Sequence, residues 1–138
     1  MKFFIKCNPP RSTAQAGLKI MKNHRTGRQF VGKKQGSKAQ QTQSELMWLL
    51  SQYVPKEPFE QPIHLSVLWA YPWRKGEPQK NRASGWKPCD TRPDCDNLCK
   101  MLLDCMTRLG YWTDDSIIFD LHFKKIYSDE PGIGIDIH

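Results

Sequence analysis

The chain has 138 residues, 38 % of them hydrophobic, and a mean hydropathy of −0.66, which fits one domain with a single core and leaves no apolar run long enough to cross a bilayer. Its formal charge of +7 is uneven: residues 1–44 carry ten Lys or Arg and no Asp or Glu, whereas residues 45–138 carry eleven against fourteen acids. A +10 segment thus precedes a −3 remainder, and a polyanion is the expected partner.

In chain order, Phe3, Phe4 and Ile5 predict a first strand, stopped by Asn8-Pro9-Pro10 because proline cannot donate to a ladder. Residues 11–38 read as a basic loop rich in glycine and lysine, long enough to suggest a binding loop; Arg11, Arg25, Arg28, Lys33 and Lys34 are its candidate phosphate contacts. Leu46, Leu49, Leu50 and Tyr53 share one face of a helix predicted over 38–53. Ile63, Leu65, Val67, Trp69 and Tyr71 alternate as a strand. A second basic loop, 72–92, offers Arg74, Lys75, Arg82 and Arg92, together with Trp73 and Trp86, which either stack on unpaired bases or pack the loop onto the domain.

Leu98, Leu102, Cys105 and Leu109 form the apolar stripe of a helix predicted over 95–109, which Gly110 ends in a left-handed conformation. Strands follow at 119–123 and, after a turn at 128–132, at 133–137. The expected architecture is a single α+β domain over residues 1–138: a small mixed sheet of about four strands packed with two main helices.

The chemistry concentrates around the second helix. Asp94 precedes its first turn, Asp96 and Lys100 are four apart on its polar side, and Asp114-Asp115 come after the helix, just before the next strand. Taken singly, each aspartate is explained by helix capping or turn formation, and Lys100 by an i,i+4 pair with Asp96 or Asp104. Taken together they form an acid group that needs a counter-charge, and oxygen donors of this kind suit Mg²⁺, with Mn²⁺ able to substitute. Such a site serves phosphoryl transfer, with Lys100 as a fixed cation at the phosphate. Cys95 and Cys99, with His122 as a third ligand, are a weaker zinc candidate because no C-x-x-C pair is present, and the four histidines look scattered. Five cysteines, an odd number, and the lack of a signal-peptide pattern suggest reduced thiols and a cytoplasmic protein.

The run Asp94-Cys95-Asp96-Asn97-Leu98-Cys99-Lys100, an apolar helix, and then Gly110-Tyr111-Trp112-Thr113-Asp114-Asp115 resembles the signature of the RusA-type Holliday junction resolvases, and Asn8-Pro9-Pro10-Arg11-Ser12 resembles that family's opening. The resemblance implies that Asp94, Asp96 and Asp115 are essential metal-binding aspartates and Lys100 an essential lysine, with Asp114 an acidic position beside them. It also implies Mg²⁺-dependent cutting of four-way DNA junctions by paired symmetric nicks. Because such a junction has approximate two-fold symmetry, two opposed active sites in a C2 homodimer are expected. The loop at 74–92 is longer than the family's pattern, and Cys95 and Cys99 depart from it, which bears on sequence preference more than on the reaction. Two other readings stay open: a nuclease for flaps or forks, and a non-catalytic DNA-binding module whose acids are structural.

Overall fold

The computed structural model describes residues 1–13, 18–33 and 37–138. Its elements are β1 (Lys2–Lys6), β2 (Leu18–Lys22), β3 (Gln29–Lys33), α1 (Ser37–Ser51), β4 (Ile63–Pro72), α2 (Gln79–Arg82), β5 (Trp86–Pro88), α3 (Cys95–Leu109), β6 (Ile118–Ser128) and β7 (Gly132–Ile137). A single 3-10 turn, Asp115–Ile117, leads into β6. The architecture is α+β, as the alternation of apolar residues predicts. Among the described residues no helix is long and apolar enough to cross a membrane.

Five strands form one sheet in the order β1-β7-β4-β6-β5, with β4 and β6 parallel and the remaining neighbours antiparallel. Because side chains alternate across a strand, Leu65, Val67, Trp69 and Tyr71 of β4 and Ile133, Ile135 and Ile137 of β7 point to one face. There they meet Leu46 and Leu50 of α1 and Leu98, Leu102, Cys105 and Met106 of α3, all fully buried. Each such side chain contributes roughly 1.5–3 kcal/mol by leaving water, so this layer carries most of the stabilisation. Among the described residues, the opposite face of the sheet has no helix over it. It presents His64, Ser66, Asp120, His122 and Asp136, with a Lys2–Asp136 ion pair at 3.1 Å.

Three elements depart from the sequence expectation. The basic stretch 11–38 is not one long loop: β2 and β3 pair as a hairpin, turned at residues 23–28 by the Asn23 N–H to the Arg28 carbonyl (2.8 Å) and by Gly27 at φ 69°. The apolar residues are few and lie among lysines, with Leu18 and Ile20 two apart but Phe30 and Val31 adjacent, and Ile20 and Val31 remain two-thirds exposed, so burial does not mark the strands either. The second basic loop folds as well. Glu77 is shielded beneath it, accepting hydrogen bonds from Lys87 and from Asn81 (2.9 Å), which together hold its carboxyl below the ordinary carboxylate value. Trp73 donates to Asp129 (2.7 Å) and lies over the Tyr127 ring, so it packs the loop rather than offering a free stacking surface. Finally, β5 makes the sheet five strands instead of about four; three residues are too few to display a period.

β7 pairs with β1 where Phe4 and Ile5 press on Gly132. A Cβ at Gly132 would collide with the Ile5 carbonyl oxygen and the Phe4 ring. Gly132→Ala should therefore destabilise the fold by about 1–3 kcal/mol, seen as a lower midpoint in chemical denaturation with an unchanged slope; an unchanged midpoint would mean that β1 is free to shift.

Candidate active site

The site is built on the two ends of α3. Its apolar stripe holds the helix on the sheet, and Gly110, at φ 83°, ends it in the left-handed conformation with its N–H on the Met106 and Thr107 carbonyls. At the other end Asp94 occupies the N-cap position in extended conformation, yet its side chain makes no capping hydrogen bond. The carboxylate that a capping explanation would engage is not used that way. Lys125, from β6, fixes this end: its ammonium donates to the carbonyls of Thr91 and Pro93 (2.6 Å for the latter), the residues just ahead of Asp94.

The chain returns toward β6 through Tyr111 and Trp112, both fully buried. The Tyr111 hydroxyl donates to the Leu50 carbonyl (2.9 Å), the Trp112 indole to Thr107 Oγ1 (2.8 Å), and the Phe59 N–H to the Tyr111 carbonyl (2.8 Å). These anchors aim the next residues. Asp114 Oδ1 accepts from the Ser116 N–H (2.8 Å), capping the 3-10 turn, and hydrogen bonding to Ser116 lowers its carboxyl pKa. The capping explanation thus describes Asp114 and does not describe Asp94.

Asp115 then faces the polar side of α3. Asp96, Lys100 and Asp115 line one open cleft of about 410 Å³, floored by Cys99, Leu103, Leu121 and Phe123. Among the described residues, Lys100 forms no ion pair with Asp96 or Asp104, and neither Asp96 nor Asp115 is ion-paired. Burial, and then Cys95, Asp115 and Asp96, push the Cys99 thiol on its floor up to about 11, so the floor is uncharged and the charge of the cleft lies on its carboxylates and Lys100. Asp94 opens onto the adjoining groove, beside Arg11, Ser12, Thr13, Arg92 and Asn97. That groove brings the amino-terminal motif to the helix: the Tyr71 hydroxyl donates to the Pro10 carbonyl (2.8 Å), Arg11 sits 4.6 Å above the Tyr71 ring, and Ser12 meets Thr42 at 2.9 Å. Asp114 lies on the far side of Asp115, with Asp104, Thr107 and Arg108.

Exposed carboxylates that, among the described residues, form no ion pair and gather at one open cleft are a donor set that fits a hard divalent ion. The remaining candidate contacts are dispersed. Arg25 and Arg28 are exposed at the hairpin turn, while Lys34 and the Lys33 side chain lie outside the described residues. Arg74 and Arg82 are partly spent on the second loop, with Arg74 5.0 Å over the Tyr127 ring and Arg82 6.0 Å over that of Trp73; Lys75 and Arg92 are exposed. Trp86 is half-exposed under the Lys124 ammonium (3.9 Å).

One cluster was not visible in the sequence. His64, Asp120 and His122 form, among the described residues, the one group of three His, Cys, Asp or Glu whose ligand atoms all lie within 4.8 Å of one another. The only signal was period-two spacing, His64 with Ser66 and Asp120 with His122; their meeting depends on the β4–β6 register. His122 points away from the cleft, so it cannot join Cys95 and Cys99 in the zinc arrangement considered above.

Comparison with known proteins places the chain in a family. The family model of the endodeoxyribonuclease RusA matches residues 9–138. The chain is 36 % identical over 130 residues, 93 % of its own length and 88 % of the relative's, to a protein of Lactococcus phage r1t named crossover junction endodeoxyribonuclease rusA. It is also 33 % identical over 92 residues, 63 % of this chain and 64 % of the relative, to the uncharacterized protein YqaN of Bacillus subtilis (strain 168). The aspartates, the lysine and the amino-terminal arginine all fall within the matched span, and the chain belongs to the RusA family of endodeoxyribonucleases.

Proposed function

We propose that the protein is a Mg²⁺-dependent endonuclease that resolves four-way DNA junctions by paired symmetric nicks, acting as a C2 homodimer in DNA recombination and repair. The observation that carries this reading is the cleft in which Asp96, Lys100 and Asp115 converge without pairing to one another, next to Asp94 and two arginines. Family membership and the printed activity of the phage relative support it.

Asp94, Asp96 and Asp115 would hold the metal, which supplies Lewis acidity at the scissile phosphate and makes water more acidic there; Mn²⁺ would substitute for it. The chain's own groups carry the rest. Asp114, by capping the turn, orients Asp115 and stands at the margin of the metal set. Lys100 meets the non-bridging oxygens as negative charge grows on them, a role its unpaired ammonium suits. Water attacks phosphorus, a phosphorus–oxygen bond to sugar breaks, and the departing oxygen takes up a proton. Arg11 and Arg92 grip the phosphates flanking the cut, and Arg25 and Arg28 on the hairpin arm reach further along the backbone. Two copies related by a two-fold axis present two clefts to opposed strands of a junction. A soluble chain working on DNA is consistent with a cytoplasmic location. Flap or fork cutting by the same residues is the second reading, since the cleft sets the chemistry and protomer placement sets the shape recognised.

Three outcomes test this. With a synthetic four-way junction, wild type should give symmetric Mg²⁺-dependent nicks that EDTA abolishes, while Asp96→Asn should lose at least about a hundredfold in rate and bind the junction as well or better, because negative charge has left the site. Cleavage undiminished in that variant would remove Asp96 from the metal site. Arg25→Ala with Arg28→Ala should lower the salt dependence of junction binding by about two units of slope, roughly one per phosphate contact, and leave single-turnover chemistry at saturating protein unchanged. Light scattering at micromolar concentration should return a dimeric mass; a monomer would contradict the paired-site arrangement.

A further inference from the structure

β6 carries two faces of opposite character. Leu121 and Phe123 line the active-site cleft, while Asp120, His122 and Lys124, at the intervening positions, point through to the face of the sheet that no helix covers. On that face β4 places His64 directly opposite Asp120, and Ser66 opposite His122. The result is a carboxylate flanked by two imidazoles: Asp120 Oδ2 lies 2.8 Å from His64 Nδ1, and Asp120 Oδ1 lies 3.2 Å from His122 Nε2. The two rings are 5.2 Å apart between centroids, and the third histidine of this face, His138, is 5.9 Å from His64.

We propose that His64, Asp120 and His122 bind a divalent transition ion of the zinc class, clamping β4 to β6 on the side of the sheet opposite the nuclease cleft. Ligands held about 2.0–2.1 Å from a tetrahedral zinc lie roughly 3.3 Å from each other; the imidazoles here are 2.8 and 3.2 Å from the two oxygens of Asp120, and one ligand atom from each of the three residues lies within 4.8 Å of the others. Two imidazoles with one carboxylate favour zinc over magnesium, which demands oxygen ligands. Ser66 completes the arrangement. Its hydroxyl is 2.9 Å from His64 Nε2, so with Nδ1 on the ion, Nε2–H donates to Ser66 and fixes the ring, the usual support for a metal-bound histidine. His138 is held by Asp136, Nε2 to Oδ1 at 2.9 Å, so water takes the fourth position. The clamp sits five residues after Asp115, at the start of the strand that presents it. The inference does not rest on the nuclease reading, and its ligands take no part in cutting.

The test uses the full chain without a histidine tag, at pH 7.5, titrated with zinc chloride by calorimetry and followed by thermal unfolding and by the cobalt(II) visible spectrum. With excess magnesium chloride present throughout to occupy the nuclease cleft, expected are one zinc ion per chain, a rise in Tm on the order of 5–10 °C at a hundredfold excess over Kd, and a tetrahedral cobalt spectrum lacking the thiolate charge-transfer band. His122→Ala, at a side chain two-thirds exposed, should keep its fold by circular dichroism and weaken binding at least tenfold. Ser66→Ala should weaken it by about tenfold, and Asp96→Asn should leave it unchanged. No stoichiometric binding, full binding in His122→Ala, or loss in Asp96→Asn with a thiolate band would overturn the proposal. Because Asp96→Asn cutting is measured separately, failure here and failure of the nuclease reading are distinguishable.

Discussion

The constraint on which the rest depends is the placement of β6. It pairs in parallel with the central β4 from Ile63 to Pro72, begins just after Asp115, and through the Lys125 ammonium holds the carbonyls that precede Asp94. One strand therefore fixes both ends of the candidate site. α3 cannot slide along the sheet without breaking those bonds or moving Leu98 and Leu102 out of their fully buried positions. A lysine is suited to this task because its long stem crosses the core side of the sheet edge while its three donors satisfy carbonyls that a proline-containing turn leaves without helix partners.

The charge pattern of the chain becomes intelligible on this frame. On the proposed reading, carboxylates that must stay free for a cation repel a nucleic-acid backbone, so the cations that offset them have to come from elsewhere in the chain. Arg11 is brought in by the amino-terminal segment, tied down by Tyr71, and Arg92 by the loop into α3. The hairpin of β2 and β3 extends the same sign of charge beyond the core. Positive and negative groups are thereby interleaved at the site without neutralising each other in direct pairs.

How much of this was legible in the sequence follows from the range of each interaction. α3 was read to the residue because its stripe, its Gly110 stop and its polar side are all local signals. The convergence of Asp96, Lys100 and Asp115 was legible as a possibility, since a helix and a return turn of known length limit where the tandem aspartates can go. What was not legible depends on long-range pairing or on sparse pattern. β5 has three residues, the hairpin buries little, and the separation of Asp94 into its own groove depends on how residues 10–13 fold back over the helix. The histidine cluster is the clearest case: 56 residues separate His64 from Asp120, and strand register alone brings them into contact.

That two-sidedness of β6 has a consequence for how the gene can change. Residue identities on either face of the strand can drift one at a time, but its length cannot. A one-residue change in the register of β6 against β4 over residues 120–123 would exchange the faces, sending Asp120 and His122 toward the helices and Leu121 and Phe123 into water. The β2–β3 hairpin, whose strands pair with each other and not with the five-stranded sheet, is the opposite kind of segment, open to lengthening and shortening. Reading-frame-preserving indels should therefore accumulate in the arm and be purged from β6, so that the proposed reach along DNA evolves by length while the cleft evolves only by substitution.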